Sequence, residues 1–341
     1  MLQLRHADQA DDRWGTGHAL LSEVPAEGPD TEGDIVIADP ALVLGLLGLP
    51  PDAPVEIEPL GDLPGSPERW HIAAPGGART VIVRCPLDPE EGANHAAMME
   101  ALGSARFAHM PVLLGFAGQA TVESEPEGVT ALQLVPPPGA AEAAIAAFAA
   151  FHALPVREGL DWGCTPGDLY PPGEVPLHRL GFAADERERA REPLLGAREA
   201  LLASPFGLAH RDATAGNILL SSGQAWLTGF GKAGYGPQLF DVAAFLLTSG
   251  IEAAGRRALA AAYGRERGWE ASATVDLVDL LGILWGIEEL LGLPRKLIES
   301  LGDDAATAHL KLGASRIDKG MRQAAGSSPV AAAIRAALWP A

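Results

Sequence analysis

Cysteine is nearly absent from this chain: Cys85 and Cys164 are the two in 341 residues, far apart in sequence. A single distant pair makes no disulfide framework, so the expected setting is a reducing cytoplasm. Basic residues are also scarce, with 25 Lys and Arg against 44 Asp and Glu and a formal net charge of −19. Binding a nucleic-acid backbone requires clustered cations, and this sequence has no such cluster. An acidic surface suits a cationic small ligand, although simple solubility explains it as well. Long apolar runs are missing too. The most apolar stretch, Leu277 to Leu293, is interrupted by Asp279, Glu288 and Glu289, which is too short and too charged to span a bilayer. Met1 to Asp12 carries Arg5, Asp8, Asp11 and Asp12 and lacks the apolar core of a signal peptide.

What the chain does have is an ordinary globular composition, 48% apolar and 20% charged, with 40 glycines and 28 prolines. Residues 1–35 read as an irregular leader. A short helix is expected from Pro40 to Leu49, stopped by Pro50 and Pro51. Strand-like runs follow at Val55–Glu58, Arg69–Ile72 and Thr80–Arg84, the last two joined by a turn at Pro75-Gly76-Gly77. A helix from about Glu90 to Leu102 precedes strands at Val112–Leu114 and Val129–Val135. Pro136-Pro137-Pro138-Gly139 then breaks the pattern, as a proline run stays extended and donates no ladder hydrogen bonds.

Beyond that break the periodicity is helical: residues 140–154, 185–204, 238–247, 254–263, 275–293 and 305–325. Two short β segments, 217–220 and 225–228, interrupt it. The expected architecture is therefore α+β: a leader at 1–35, a β-rich lobe at 36–135 with one helix, a linker at 136–139, and a helical lobe at 140–341.

Two motifs in the second lobe carry chemistry. "LAHRDATAGNILL" contains His210, Asp212 and Asn217, an H-x-D-x-x-x-x-N spacing followed by an apolar strand. Phosphoryl transfer uses such a loop: the aspartate takes the proton of an attacking hydroxyl, and the asparagine ligates a metal. A turn capped by Asp212 explains the same residues. Just downstream, "AWLTGFGKAGYG" places Gly229, Gly231 and Gly234 in a G-x-G-x-x-G pattern after a strand. Taken literally this is a dinucleotide-binding turn. No following strand supplies a ribose-binding acid about twenty residues on, because Glu252 sits at a helix boundary.

Together with "AAFAAFHALP" upstream and "FDVAAFL" downstream, these stretches resemble the aminoglycoside phosphotransferase and choline kinase-like family. That family shows an L-x-x-L-H-x-x-P helix end, the H-x-D-x-x-x-x-N loop, a strand ending in D-F-G, and an aspartate opening the next helix. Here the corresponding residues are Phe148–Pro155, His210–Asn217, Gly229-Phe230-Gly231 and Phe240–Ala243. The resemblance implies a protein-kinase-like fold, a small β-rich lobe over a larger helical one, with ATP or GTP and magnesium in the cleft between them. It implies Asp212 as catalytic base, Asn217 as metal ligand, and Asp241 as a brace for the catalytic loop, with His210 in that loop. Gly65 and Ser66 would lie in the turn over the phosphates, and Gln133 and Val135 beside the adenine edge.

Three positions depart from the pattern. Gly229 stands where the family has the metal-binding aspartate. Arg84 stands where a lysine holds the α- and β-phosphates, a change of head-group shape as well as size. The following helix should carry the glutamate that pairs with that cation, and the matching position holds His95. A histidine offers Arg84 no carboxylate; it is equally explained as a partly buried helix residue. On the late helix, Trp285, Glu288 and Glu289 lie at i, i+3 and i+4 and share a face suited to an amine-bearing acceptor, or simply to solvent.

Two functions fit these residues. One is a catalytically impaired or inactive kinase homologue that binds a nucleotide weakly or not at all, a small ligand, or a protein partner. The other is an active phosphotransferase acting on a hydroxyl of a small, amine-bearing molecule. A lost metal carboxylate costs several kcal/mol of transition-state stabilisation, at ~1.4 kcal/mol per tenfold in rate, and this weighs toward the first.

Overall fold

The computed structural model describes residues 39–60, 67–74, 77–86, 88–117, 120–133, 139–155, 183–202, 204–221, 223–299, 304–324 and 328–338. The expected leader at 1–35 and the prolines of the expected linker lie outside them, as do Gly65, Ser66 and Val135. Among the described residues, no helix is long and apolar enough to cross a membrane.

The first part of the chain forms α1 (Pro40–Leu46), β1 (Val55–Pro59), β2 (Glu68–Ala74), β3 (Gly77–Arg84), α2 (Pro89–Ser104), β4 (Leu113–Ala117) and β5 (Ala120–Ser124). The strands make one antiparallel sheet in the order β1-β2-β3-β5-β4. Strand side chains alternate between faces, and here the alternation separates two environments. Trp70, Ile72, Val81, Val83 and Val122 build a small core with Val43 and Leu44 of α1. The opposite face of β3 and β5 carries Arg84, Thr121 and Glu123. In the β3–β5 register Arg84 faces Thr121 and Ile82 faces Glu123, so Arg84 and Glu123 are diagonal neighbours. α2 is capped by the Asp88 side chain, which accepts from Glu90 N. Its Met98, Met99 and Leu102 pack into the larger core of the molecule rather than the small one beneath α1.

The second part comprises β6 (Val129–Thr130), α3 (Ala140–His152), α4 (Ala184–Leu202), β7 (Phe206–Ala209), β8 (Ile218–Ser221), β9 (Gln224–Leu227), β10 (Gly234–Pro237), α5 (Gln238–Thr248), α6 (Ala253–Glu266), α7 (Ala271–Glu299), α8 (Asp304–Gln323) and α9 (Pro329–Leu338). Its core is helical and aromatic, with Phe148, Phe151, Phe230, Phe245 and Tyr263 each fully buried. The fold is α+β, with a β-rich first region and a helical second one. Two small antiparallel sheets sit within the helical part, β6-β8-β9 and β10-β7.

Of the expected strand 129–135, the residues to Gln133 are described: Val129–Thr130 pair with β8, Ala131 N donates to Ile218 O at 3.2 Å, and the chain turns at Gln133, whose N–H donates to Thr130 O at 3.3 Å. Arg316 of α8 donates through Nη1 to the carbonyls of Ala131 and Leu132 and, at 3.0 Å, to that of Thr248, tying this turn to α5 and α8.

Candidate active site

β7 delivers the chain into residues 210–217, a short 3-10 turn at Ala215–Asn217 closes the loop, and β8 leads away. The β8–β9 hairpin returns the chain to a second 3-10 turn, Phe230–Lys232, and β10 pairs back on β7 with Gly234 opposite Ala209. The two motif loops are thus held side by side by their own flanking strands.

Beneath them lies a buried polar chain. Asp241, 1% exposed near the start of α5, accepts from His210 N at 2.5 Å and Arg211 N at 2.9 Å. Its Oδ2 also accepts from His152 Nε2 at 2.9 Å, which leaves His152 Nδ1 to accept from the Tyr263 hydroxyl at 2.8 Å. Arg211 adopts φ +62, a left-handed conformation that costs a non-glycine residue energy. The Asp241 carboxylate holds that turn in place through both neighbouring amides. His210 is wholly buried and donates through Nε2 to Thr228 O at 2.8 Å. Burial pushes its pKa down, so the ring is neutral, with Nδ1 facing no donor.

On the open face the arrangement differs from what a magnesium site requires. Asn217 Nδ2 donates to Asp212 O at 2.8 Å, and Asn217 Oδ1 lies 3.0 Å from where a Cβ on residue 229 would sit. Gly229 itself is left-handed, at φ +75 and ψ +50. A side chain at 229 would therefore be strained in its backbone and crowded by Asn217. The absence of a side chain at 229 is built into the local geometry. Asp241 does not make up for it, since its oxygens serve the loop amides and His152. Among the described residues, no group of three or more His, Cys, Asp or Glu side chains is placed to hold a metal. These residues do not fit a magnesium ion in the way the motif implies.

A lysine stands there instead. Lys232 Nζ is 3.6 Å from Asp212 Oδ2, with the lysine side chain half exposed. Asp212 raises the pKa of this ammonium most strongly, with Glu91 of α2 and Glu289 of α7 adding to the field. Glu91 also packs on the turn itself, and a side chain at Gly231 would run into it. The turn is pinned on both sides of Lys232 by Asn94, which is 4% exposed and donates through Nδ2 to Gly231 O at 2.7 Å and Ala233 O at 2.9 Å. Phe230 seals the turn from below, its ring 5.0 Å from that of His210 and 5.8 Å from that of Phe151.

The carboxylate beside Arg84 comes from β5 and not from α2. Arg84 Nε lies 2.8 Å from Glu123 Oε1, off the line of its own N–H, so the contact is ionic rather than a directed hydrogen bond. His95 Nε2 meets the same oxygen at 2.8 Å, and Thr121 Oγ1 donates to it at 3.3 Å. Burial alone would push Glu123 up, but Arg84 and His95 outweigh it and hold the carboxyl below its usual range. His95 is therefore not a failed substitute for the helix glutamate. It ties α2 to the Glu123 carboxylate on β5.

The remaining expected residues are separated. Gln133 is exposed on the turn after β6, and the Ala131 and Leu132 carbonyls beside it are engaged by Arg316. Trp285, Glu288 and Glu289 are half-buried on α7. Glu289 acts through its field on Lys232, on the turn that follows Gly229. Burial raises Glu288 to about 7, helped by the like charge of Glu289. No sequence motif marks Glu123, Asn94 or Arg316, and Lys232 is flagged only by its place directly after G-F-G.

Comparison with known proteins agrees with this layout. Residues 63–275 match the family model APH, described as the phosphotransferase enzyme family. No curated protein matches the sequence. Among solved structures, a choline/ethanolamine kinase family protein from Mesorhizobium loti superposes with a TM-score of 0.56 at 19% identity, covering 83% of this chain and 93% of the other. A microcompartment-associated aminopropanol kinase gives 0.56 at 14% identity, covering 83% and 95%. An aminoglycoside phosphotransferase from Alicyclobacillus acidocaldarius gives 0.53 at 13%, covering 79% and 90%. At these identities the likeness speaks to fold alone.

Proposed function

Because the chain belongs to the phosphotransferase enzyme family, matching its model over more than half its length, we propose that it is a catalytically impaired or inactive member of that family. Its cleft would bind a small ligand, or a nucleoside phosphate weakly, without efficient metal-assisted transfer. The observation that carries this is the open face of the site. Gly229 supplies no ligand, its left-handed backbone and Asn217 leave little room for one, and Lys232 occupies the front of Asp212. Phosphoryl transfer depends on positioned charge, and the charge placed beside Asp212 here is a lysine ammonium in place of a metal ligand.

On the nucleotide side, Arg84 braced by Glu123 is the group suited to a phosphate, whether of ATP or GTP. The Glu288–Glu289 pair on α7 suits an amine. Two of the structural relatives are named for choline/ethanolamine and aminopropanol kinases, whose named compounds are amine-bearing alcohols. We assign the protein to the cytoplasm, with neither nucleic acid nor membrane as partner. A protein partner takes the place of a substrate if turnover is absent.

The alternative, an active phosphotransferase for such an alcohol, is favoured by the retention of Asp212 and Asn217. The deciding measurement is ATP and GTP consumption over amino alcohols, amino sugars and neutral sugars, with Asp212→Asn as control. No acceptor-dependent turnover is expected. Turnover that disappears in Asp212→Asn would overturn the proposal.

A further inference from the structure

We propose that Lys232 is a tethered counter-cation standing in for the metal ion, so that the cleft takes the phosphates of a nucleoside di- or triphosphate without a divalent metal. The inference rests on the nucleotide part of the preceding proposal and adds how the phosphate charge is met.

Three features of the site carry it. First, the ammonium sits where charge neutralisation is needed, 3.6 Å from Asp212 and on the turn that directly follows Gly229. Second, its position is organised in advance. Asn94 binds the carbonyls on either side of Lys232, and Phe230 is locked in the core, so the turn cannot wander. A cation fixed in this way loses little freedom when a phosphate arrives. Third, the surroundings fit a lysine and not a metal. Glu91, Asp212 and Glu289 all act on this one ammonium, while Gly229 supplies no side-chain oxygen and, among the described residues, no group of three or more His, Cys, Asp or Glu side chains could hold a metal.

The half-exposed side chain is free to swing from Asp212 toward an incoming anion. Arg84 provides the second cation from the opposite lobe, fixed to the sheet by Glu123 rather than to α2. A single ammonium replaces a double charge, so binding should be weaker than in a metal-loaded cleft and should weaken further with salt.

The test is titration calorimetry with ADP and ATP in excess magnesium and in EDTA, on the wild-type chain, Lys232→Met and Lys232→Arg. Unfolding midpoints confirm that the variants fold, which the half-exposed side chain favours. The expected wild-type affinity differs less than threefold between magnesium and EDTA, falls at least tenfold in Lys232→Met, and is largely recovered in Lys232→Arg. Binding that requires magnesium would overturn the tethered cation while leaving the cleft a nucleotide site. An unchanged affinity in Lys232→Met would overturn it as well. Absence of any nucleotide binding would refute this inference, whereas the proposal of impaired catalysis is decided separately by the turnover assay.

Discussion

The two sides of the catalytic-type loop differ in how they treat charge. On the buried side every oxygen of Asp241 has a partner, and the chain Tyr263–His152–Asp241 ends on two loop amides. On the open side, Asp212 and Lys232 face each other at 3.6 Å, both partly exposed, beside a glycine where the family places an acid. The buried side keeps the loop's shape, and the open side carries an exposed ion pair. Retention of an H-x-D-x-x-x-x-N pattern thus reports on folding as much as on catalysis. His210 and the residues that shape the turn are held by packing and hydrogen bonds, whether or not a phosphoryl group ever passes.

The sharpest way to break this comparison is Asp241→Ala. It removes the acceptor for His210 N, Arg211 N and His152 Nε2 at a site 1% exposed. Buried donors left unpaired, together with an unsupported left-handed Arg211, should cost about 3–5 kcal/mol in denaturant unfolding. Lys232→Met, on the open side, should change stability by less than about 0.5 kcal/mol in the same experiment. Similar losses from the two would erase the distinction.

A second, smaller effect is expected at the Arg84–Glu123 ion pair. Glu123→Gln leaves Arg84 in a largely buried position without a counter-charge, and should destabilise by about 2 kcal/mol. His95→Glu in the same background returns a carboxylate to α2, within reach of the same region of the sheet, and should recover a good part of that loss. If the double variant is as weak as the single one, the pair acts through sheet packing and not through charge.

The strand that carries Glu123 also explains what was legible in sequence and what was not. The helical lobe announces itself by period, and α3, α5, α6 and α7 fall where apolar spacing puts them. The loop motifs are legible only when their spacing is joined to the flanking stretches that carry the family resemblance; spacing alone leaves a capped turn and a dinucleotide turn open. β5, however, is the five-residue "ATVES" beside Glu125-Pro126-Glu127, too short and polar to stand out, and its worth comes from pairing with β3. The same holds for β7 and β10, whose glycines and prolines read as loop until each finds the other. Without β5, Glu123 has no place beside Arg84, and His95 looks like a defect. Arg316 was hidden for a related reason: its partners are backbone carbonyls nearly two hundred residues upstream, which no side-chain pattern encodes.

The mildest test concerns Glu288, on the acidic face of α7. Burial, with Glu289 in support, raises its carboxyl to about 7, against an ordinary value near 4.5. For a carboxyl raised on folding, the native state favours the protonated form. Its contribution to stability is complete below about pH 4.5 and is lost as pH rises through 7. Glu288→Gln keeps the shape and cannot ionise. The variant should therefore match the wild type at pH 4.5 and exceed it at pH 8 by on the order of 1–2 kcal/mol, less than the full shift implies because the group is only partly buried. Parallel stability curves for the two proteins would mean that solvent reaches the carboxyl and that it ionises normally. A gap that closes when an amino alcohol is added would mean something more specific. An ammonium would then be stabilising the ionised Glu288, and the open face would be identified as the amine side of the cleft, opposite a buried side that no ligand perturbs.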